Sequence, residues 1–185
     1  MFLSTEGDAL PWEIRIKIAI GTAQALSFLH SIKNSPLNQE LRMHNIMLDE
    51  QYNAKLFYLA SNKQWLKPYL EDGFTFVGKS KYLPPEMFLK SGPFGMEADV
   101  YTFGVILLDL LSNLHVRSRS LLHLNYKIDK MIEEINDPRL GRDYPVSAAT
   151  QMCTLLKRCT MEDKKKRPLM QEVLDVLNDI AEIKD

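Results

Sequence analysis

The sequence predicts a mainly helical domain with one small β-hairpin, and three observations lead there. Ile14, Ile18, Ala25, Leu26 and Leu29 recur at helical spacing, so one long amphipathic helix is expected over roughly residues 11 to 32. Two short strand-like runs, Asn45–Asp49 and Asn53–Phe57, are joined by a polar turn. Ala98–Leu111 is apolar on nearly every side, as expected of a buried central helix.

Each element has local punctuation. The first helix opens at Leu10-Pro11-Trp12-Glu13, with proline near the first turn and a glutamate just after it. Asn34-Ser35-Pro36 ends it. From Tyr58 to Glu86 no period is sustained, and Gly73, Gly78, Pro84 and Pro85 interrupt the chain. A loop of that length inside a compact domain is usually functional. Lys127–Ile135 reads as a shorter amphipathic helix stopped near Asp137-Pro138. Val146–Cys159 and Leu169–Ile183 make two more helices, the last beginning just after Pro168. No internal repeat is visible.

Composition narrows the function. The 185 residues are 45% apolar and 25% charged, enough for one core and too apolar for a disordered chain. A formal net charge of −1 gives no footprint for nucleic acid or an anionic membrane, so neither is expected as a partner. Lys164-Lys165-Lys166-Arg167 reads as a solvated run. Two cysteines, Cys153 and Cys159, cannot build a disulfide framework or a zinc site, which fits a reducing compartment. Six positions apart on a helix, they are expected on different faces as core or surface thiols. The start lacks a basic n-region, and Phe2 stands where myristoylation needs a glycine. Asp109 interrupts the apolar run Val105–Leu108 far short of a membrane span. A cytoplasmic protein is expected.

The order of these pieces resembles the large, C-terminal lobe of protein kinases, and most of all plant receptor-like cytoplasmic kinases. Leu10-Pro11-Trp12-Glu13-Ile14-Arg15-Ile16-Lys17-Ile18-Ala19, ending in Phe28-Leu29-His30, is similar to the helix before the catalytic loop. Asn45-Ile46-Met47-Leu48-Asp49-Glu50 and Asn53-Ala54-Lys55-Leu56 resemble the hairpin after it. Asp99-Val100-Tyr101-Thr102-Phe103-Gly104-Val105 resembles the central helix, and Asp137-Pro138-Arg139-Leu140 and Arg167-Pro168-Leu169-Met170 the later helices. The resemblance implies structural roles for three residues. Asp99 would hold the catalytic-loop backbone, and Glu86 would pair with Arg167 to clamp the end of the activation segment. Met47 matches the residue beneath adenine, now vestigial. The domain reading is residues 1–185 as a truncated kinase-like domain, since residues 1 to 10 leave no space for a small lobe.

Phosphoryl transfer needs a positioned base and neutralised charge. Under the resemblance the His-Arg-Asp motif falls on Asn38-Gln39-Glu40. Glu40 keeps a carboxylate but shifts it by about 1 Å where placement decides the rate. Gln39 lacks the cation that receives a phosphorylated loop, and Arg42 replaces the lysine that meets the γ-phosphate. Asn45 is retained as a vestigial metal ligand. The metal-binding Asp-Phe-Gly falls on Tyr58-Leu59-Ala60, and a neutral phenol is a poor magnesium ligand. No glycine-rich cover or small-lobe lysine is present in the chain. No catalytic residue is therefore expected intact, no metal site, and no cofactor unless residual ATP and Mg²⁺ binding survives.

Gly73-Phe74-Thr75-Phe76-Val77-Gly78-Lys79-Ser80 also fits a phosphate-loop pattern. Pro84 and Pro85 oppose the helix that such a loop requires, and the same residues fit the kinase segment. His44 reads as a surface or capping residue, and His115 and His123 lack partners at useful spacing. Thr75 and Ser80 are candidate phosphorylation sites. The expected function is a catalytically inactive scaffold or decoy in plant signalling. Its expected partner is a protein, an active kinase or a receptor, with self-association possible through an uncovered face holding Met47 and Leu59. The alternatives are a weak or partial ATP-dependent serine/threonine kinase and a nonfunctional truncated product.

Overall fold

The computed structural model describes residues 10–33, 41, 43–56, 82–87, 95–111 and 144–184. Helix α1 spans Trp12–Lys33, close to its expected bounds. Its inward stripe, however, is centred on Trp12, Ile16, Ala19, Ala23 and Leu26, while Ile14 and Leu29 are half-buried. Two polar residues on the buried side, Arg15 and Thr22, hide that stripe from a hydrophobic reading. Thr22 satisfies its hydroxyl by donating to Ile18 O at 2.8 Å.

A short 3₁₀ turn, Met43–Asn45, leads into β1 (Ile46–Leu48), which pairs antiparallel with β2 (Ala54–Leu56). Both strands are shorter than expected, because Asn45 stays in the turn while Asp49 and Asn53 close the connection. Asp49 Oδ1 accepts from Gln51 N and Asn53 N, and Oδ2 accepts from Asn53 Nδ2. These side-chain bonds reinforce the backbone bond from Asp49 N to Asn53 O at 3.2 Å. Tyr52 completes the reversal with φ at 61°, the left-handed region. The hairpin lies on α1 where Gly21 leaves room. A Cβ there would stand 3.2 Å from the Ala54 Cβ.

Helix α2, Met96–Leu111, begins two residues before its expected start and is buried almost throughout. It runs antiparallel to α1, and each end is tied. His30 Nε2 of α1 donates to Asp99 Oδ2 near the start of α2 at 3.0 Å. At the other end the buried Arg15 guanidinium donates to Leu110 O at 2.6 Å and Leu111 O at 3.4 Å, and its Nε donates to Leu10 O at 2.8 Å. Terminal carbonyls of a buried helix lack intrahelical partners and carry partial negative charge, so a cation is well placed there.

Helix α3 (Val146–Cys159) crosses α2, and α4 (Met170–Ala181) packs along α1 and against α3. The α2–α3 crossing is close at Gly104. A Cβ at that position would meet Thr160 Cγ2 at 2.7 Å and Cys159 Cβ at 2.8 Å. Leu169 and Ile183 fall outside α4, whose first turn is closed by Leu169 N donating to Glu172 Oε2 at 2.7 Å. Cys153 and Cys159 are both core thiols, and their different faces are both buried because α3 is covered on two sides, by α2 and by α4. Burial pushes the Cys159 thiol up to about 12 and raises that of Cys153.

The expected helix over Lys127–Ile135, most of the Tyr58–Glu86 loop and the phosphate-loop-like Gly73–Ser80 lie outside the described residues. Among the described residues, no helix is long and apolar enough to cross a membrane.

Candidate functional site

Residues 82–87 form a short segment holding the 3₁₀ turn Pro85–Met87, with proline at the first position of the turn, where its missing N–H costs nothing. Its anchor is Glu86. Arg167 NH1 donates to Glu86 Oε1 at 2.7 Å, and NH2 donates to Oε2 at 2.8 Å, a bidentate pair with both residues buried. The remaining guanidinium donors are also used. Nε donates to Met161 O, NH1 to Glu97 O and NH2 to Glu162 O. The guanidinium carbon stands 5.0 Å from the centre of the Tyr101 ring. Burial pushes the Tyr101 hydroxyl up to about 12, against the opposing pull of Arg167. The residue between the Lys164–Lys166 turn and Pro168 is thus a buried structural cation, not part of a solvated basic run.

Two more ties hold the segment to α2. Thr102 Oγ1 donates to Tyr82 O at 2.8 Å, and Tyr82 Oη donates to Asp109 Oδ2 at 2.6 Å. Asp99, buried four residues into α2, accepts from His30. Positions 38–40 and 42 of the catalytic-loop motif, whose backbone Asp99 is expected to hold, lie outside the described residues. Sequence reasoning assigned no role in this base to His30, Tyr82, Thr102 or Asp109. Nothing in a linear pattern pairs residues 69 or 27 positions apart.

The structure therefore brings Glu86 and Arg167 together and ties Asp99 into the same helical base. Asn45 closes the turn before β1, and Met47 stands on the outer side of the hairpin, 48% exposed. Glu40, Arg42 and Tyr58 lie outside the described residues, as do Gln39, Leu59, His115 and His123.

A hairpin laid on one long helix, with a buried second helix gripping the segment that ends at Glu86, defines a kinase-type large lobe. The chain belongs to the protein kinase family. A family model described as protein kinase domain matches residues 2–176. The Arabidopsis thaliana protein named inactive serine/threonine-protein kinase BKN1 is 58% identical over 193 residues, covering 97% of this chain and 56% of that protein. Receptor-like cytoplasmic kinase 176 of Oryza sativa subsp. japonica is 32% identical over 203 residues, covering 98% of this chain and 49% of that protein. The chain thus spans about half the length of these curated relatives. Among solved structures, pseudokinase DRIK1 (drought responsive inactive kinase 1) bound to ENMD-2076 superposes with a TM-score of 0.70 at 22% identity. The match covers 97% of this chain and 57% of that one, a likeness of fold.

Proposed function

We propose that this chain is a catalytically inactive kinase-like module that acts by binding a protein partner. The observation that carries the reading is an imbalance. The contacts that hold the lobe together are complete, at Glu86–Arg167, Asp99–His30 and Tyr82–Asp109. The positions that would handle magnesium and phosphate are substituted in sequence, by Glu40, Arg42 and Tyr58. A phenol and one asparagine do not fit Mg²⁺, which favours carboxylate oxygen and rigid octahedral geometry.

Relatives named inactive kinases support the same reading. The relative named a receptor-like cytoplasmic kinase supports a cytoplasmic signalling role beside an active kinase or a receptor. Met47, large, apolar and exposed on the hairpin, supports a contact role for that face. Asn45 favours a second reading, residual nucleotide binding, because it is the one metal-ligand position retained in the matched motifs.

Thermal unfolding with and without millimolar ATP and Mg²⁺ separates the two. A ligand at about 100 times its dissociation constant would stabilise the fold by roughly 2.7 kcal/mol. The expected outcome is an unshifted cooperative transition and no phosphate transfer to a generic substrate. A Mg²⁺-dependent rise in Tm would sink the inactive reading.

A further inference from the structure

Phe28 and Ile32 stand one turn apart on α1 and are 62% and 57% exposed. Helical spacing puts them on the side away from Ala23 and Leu26, which are fully buried. The earlier part of that outer side is covered by the hairpin, with Gly21 against Ala54 and Lys17 Nζ donating to Gln51 O at 2.7 Å. Past Gly21 the two large exposed apolar side chains begin. Exposed apolar surface of this kind marks a contact site.

Helix α4 supplies the charge beside it. Ser27, the neighbour of Phe28, donates to Gln171 Oε1 at 2.8 Å, and Gln171 Nε2 donates to Asp175 Oδ1 at 2.8 Å. The first bond sets the start of α4 beside α1 at Ser27, and the second, within α4, links that contact to the exposed face of the helix. Leu169, 66% exposed, opens that face. Along it Glu172, Asp175, Asp179 and Glu182 recur at helical intervals, all exposed. No lysine or arginine lies between Glu172 and Glu182, and the Lys164–Lys166 turn precedes the helix.

We infer that the α1–α4 face docks a basic amphipathic helix of a partner protein. Its apolar side would lie on Phe28, Ile32 and Leu169, and its lysines or arginines would face the four carboxylates. A helix laid on an apolar ridge by anchors one turn apart is a recurrent recognition mode. The charge pattern selects this occupant over a second copy, since two copies of the face would oppose like charges. The inference deepens the proposed function and rests on the reading that the chain works by binding.

The test uses the whole 185-residue chain and a fluorescent amphipathic peptide of leucine and lysine at helical spacing. A matched peptide with glutamate for lysine is the control. Anisotropy should report binding of the lysine peptide, weakening with salt, and none of the glutamate peptide. The double variant Phe28→Ala, Ile32→Ala should weaken binding about tenfold, as loss of interface anchors does. Asp175→Asn with Asp179→Asn should also weaken it and flatten the salt dependence. All these side chains are exposed, so unchanged melting temperatures verify folding. No binding of the lysine peptide, or equal binding by the double variant, would overturn the inference. Loss of binding in Met47→Asp alone would overturn it too, moving the contact to the hairpin. A shift with ATP and Mg²⁺ would instead sink the inactive reading and leave the docking face standing.

Discussion

Arg167 shows what a single side chain does here: each guanidinium N–H has an acceptor, and two of the acceptors are the Glu86 oxygens. Removing one partner strands a buried charge. Glu86→Ala should therefore cost about 3–5 kcal/mol, read as a lower denaturant midpoint. Replacing both residues by leucine and methionine should recover much of that loss, because the desolvation penalty disappears with the pair. The thiols give a second expectation. With both sulfurs buried and their ionisation pushed up, Cys153 and Cys159 should ignore a thiol reagent at pH 8 in the native protein and both react in denaturant. At this scale the sequence was legible where a motif names a pair, as for Glu86 and Arg167. Arg15 was not legible, since an arginine among helical apolar residues looks the same whether it meets water or the carbonyls of Leu110 and Leu111.

Among the elements, the α2–α3 crossing is the tightest constraint, because Gly104 lets Cys159 and Thr160 approach the backbone of α2. Gly104→Ala should destabilise by about 1–3 kcal/mol despite the better helix propensity of alanine, with circular dichroism melts as the measurement. An unchanged or higher Tm would mean that Thr160 and Cys159 can move aside without cost. Periodicity made α1, α2 and α3 readable nearly to their ends, since burial on one side imposes a repeat. It read the α1 stripe off-centre because Arg15 and Thr22 occupy core positions, and it left open whether the two cysteines are core or surface thiols because a helix covered by both α2 and α4 has no single inward side. Strand ends were overextended for a related reason. Asn45, Asp49 and Asn53 flank apolar residues, yet Asn45 sits in a 3₁₀ turn and the side chains of Asp49 and Asn53 bond across the connection.

Across the whole molecule, ties at both ends of α2 set the frame. Arg15 fixes one end and His30 the other, so the hairpin on α1 and the 82–87 segment on α2 keep one relative placement. The frame was predictable only in outline, because its bonds join residues far apart in sequence.

The Glu86–Arg167 bond spans 81 residues, and that separation has a consequence for time rather than for strength. Closing so long a loop costs chain entropy before the bond returns anything, so the pair is expected to form after the folding barrier has been crossed. Its loss should then appear almost wholly as faster escape from the native state, with the refolding rate nearly unchanged. Stopped-flow refolding and unfolding of Glu86→Ala would read this directly, and a slowed refolding limb would place the clamp in the nucleus. Under the proposed binding role, the clamp would govern how long each molecule remains competent.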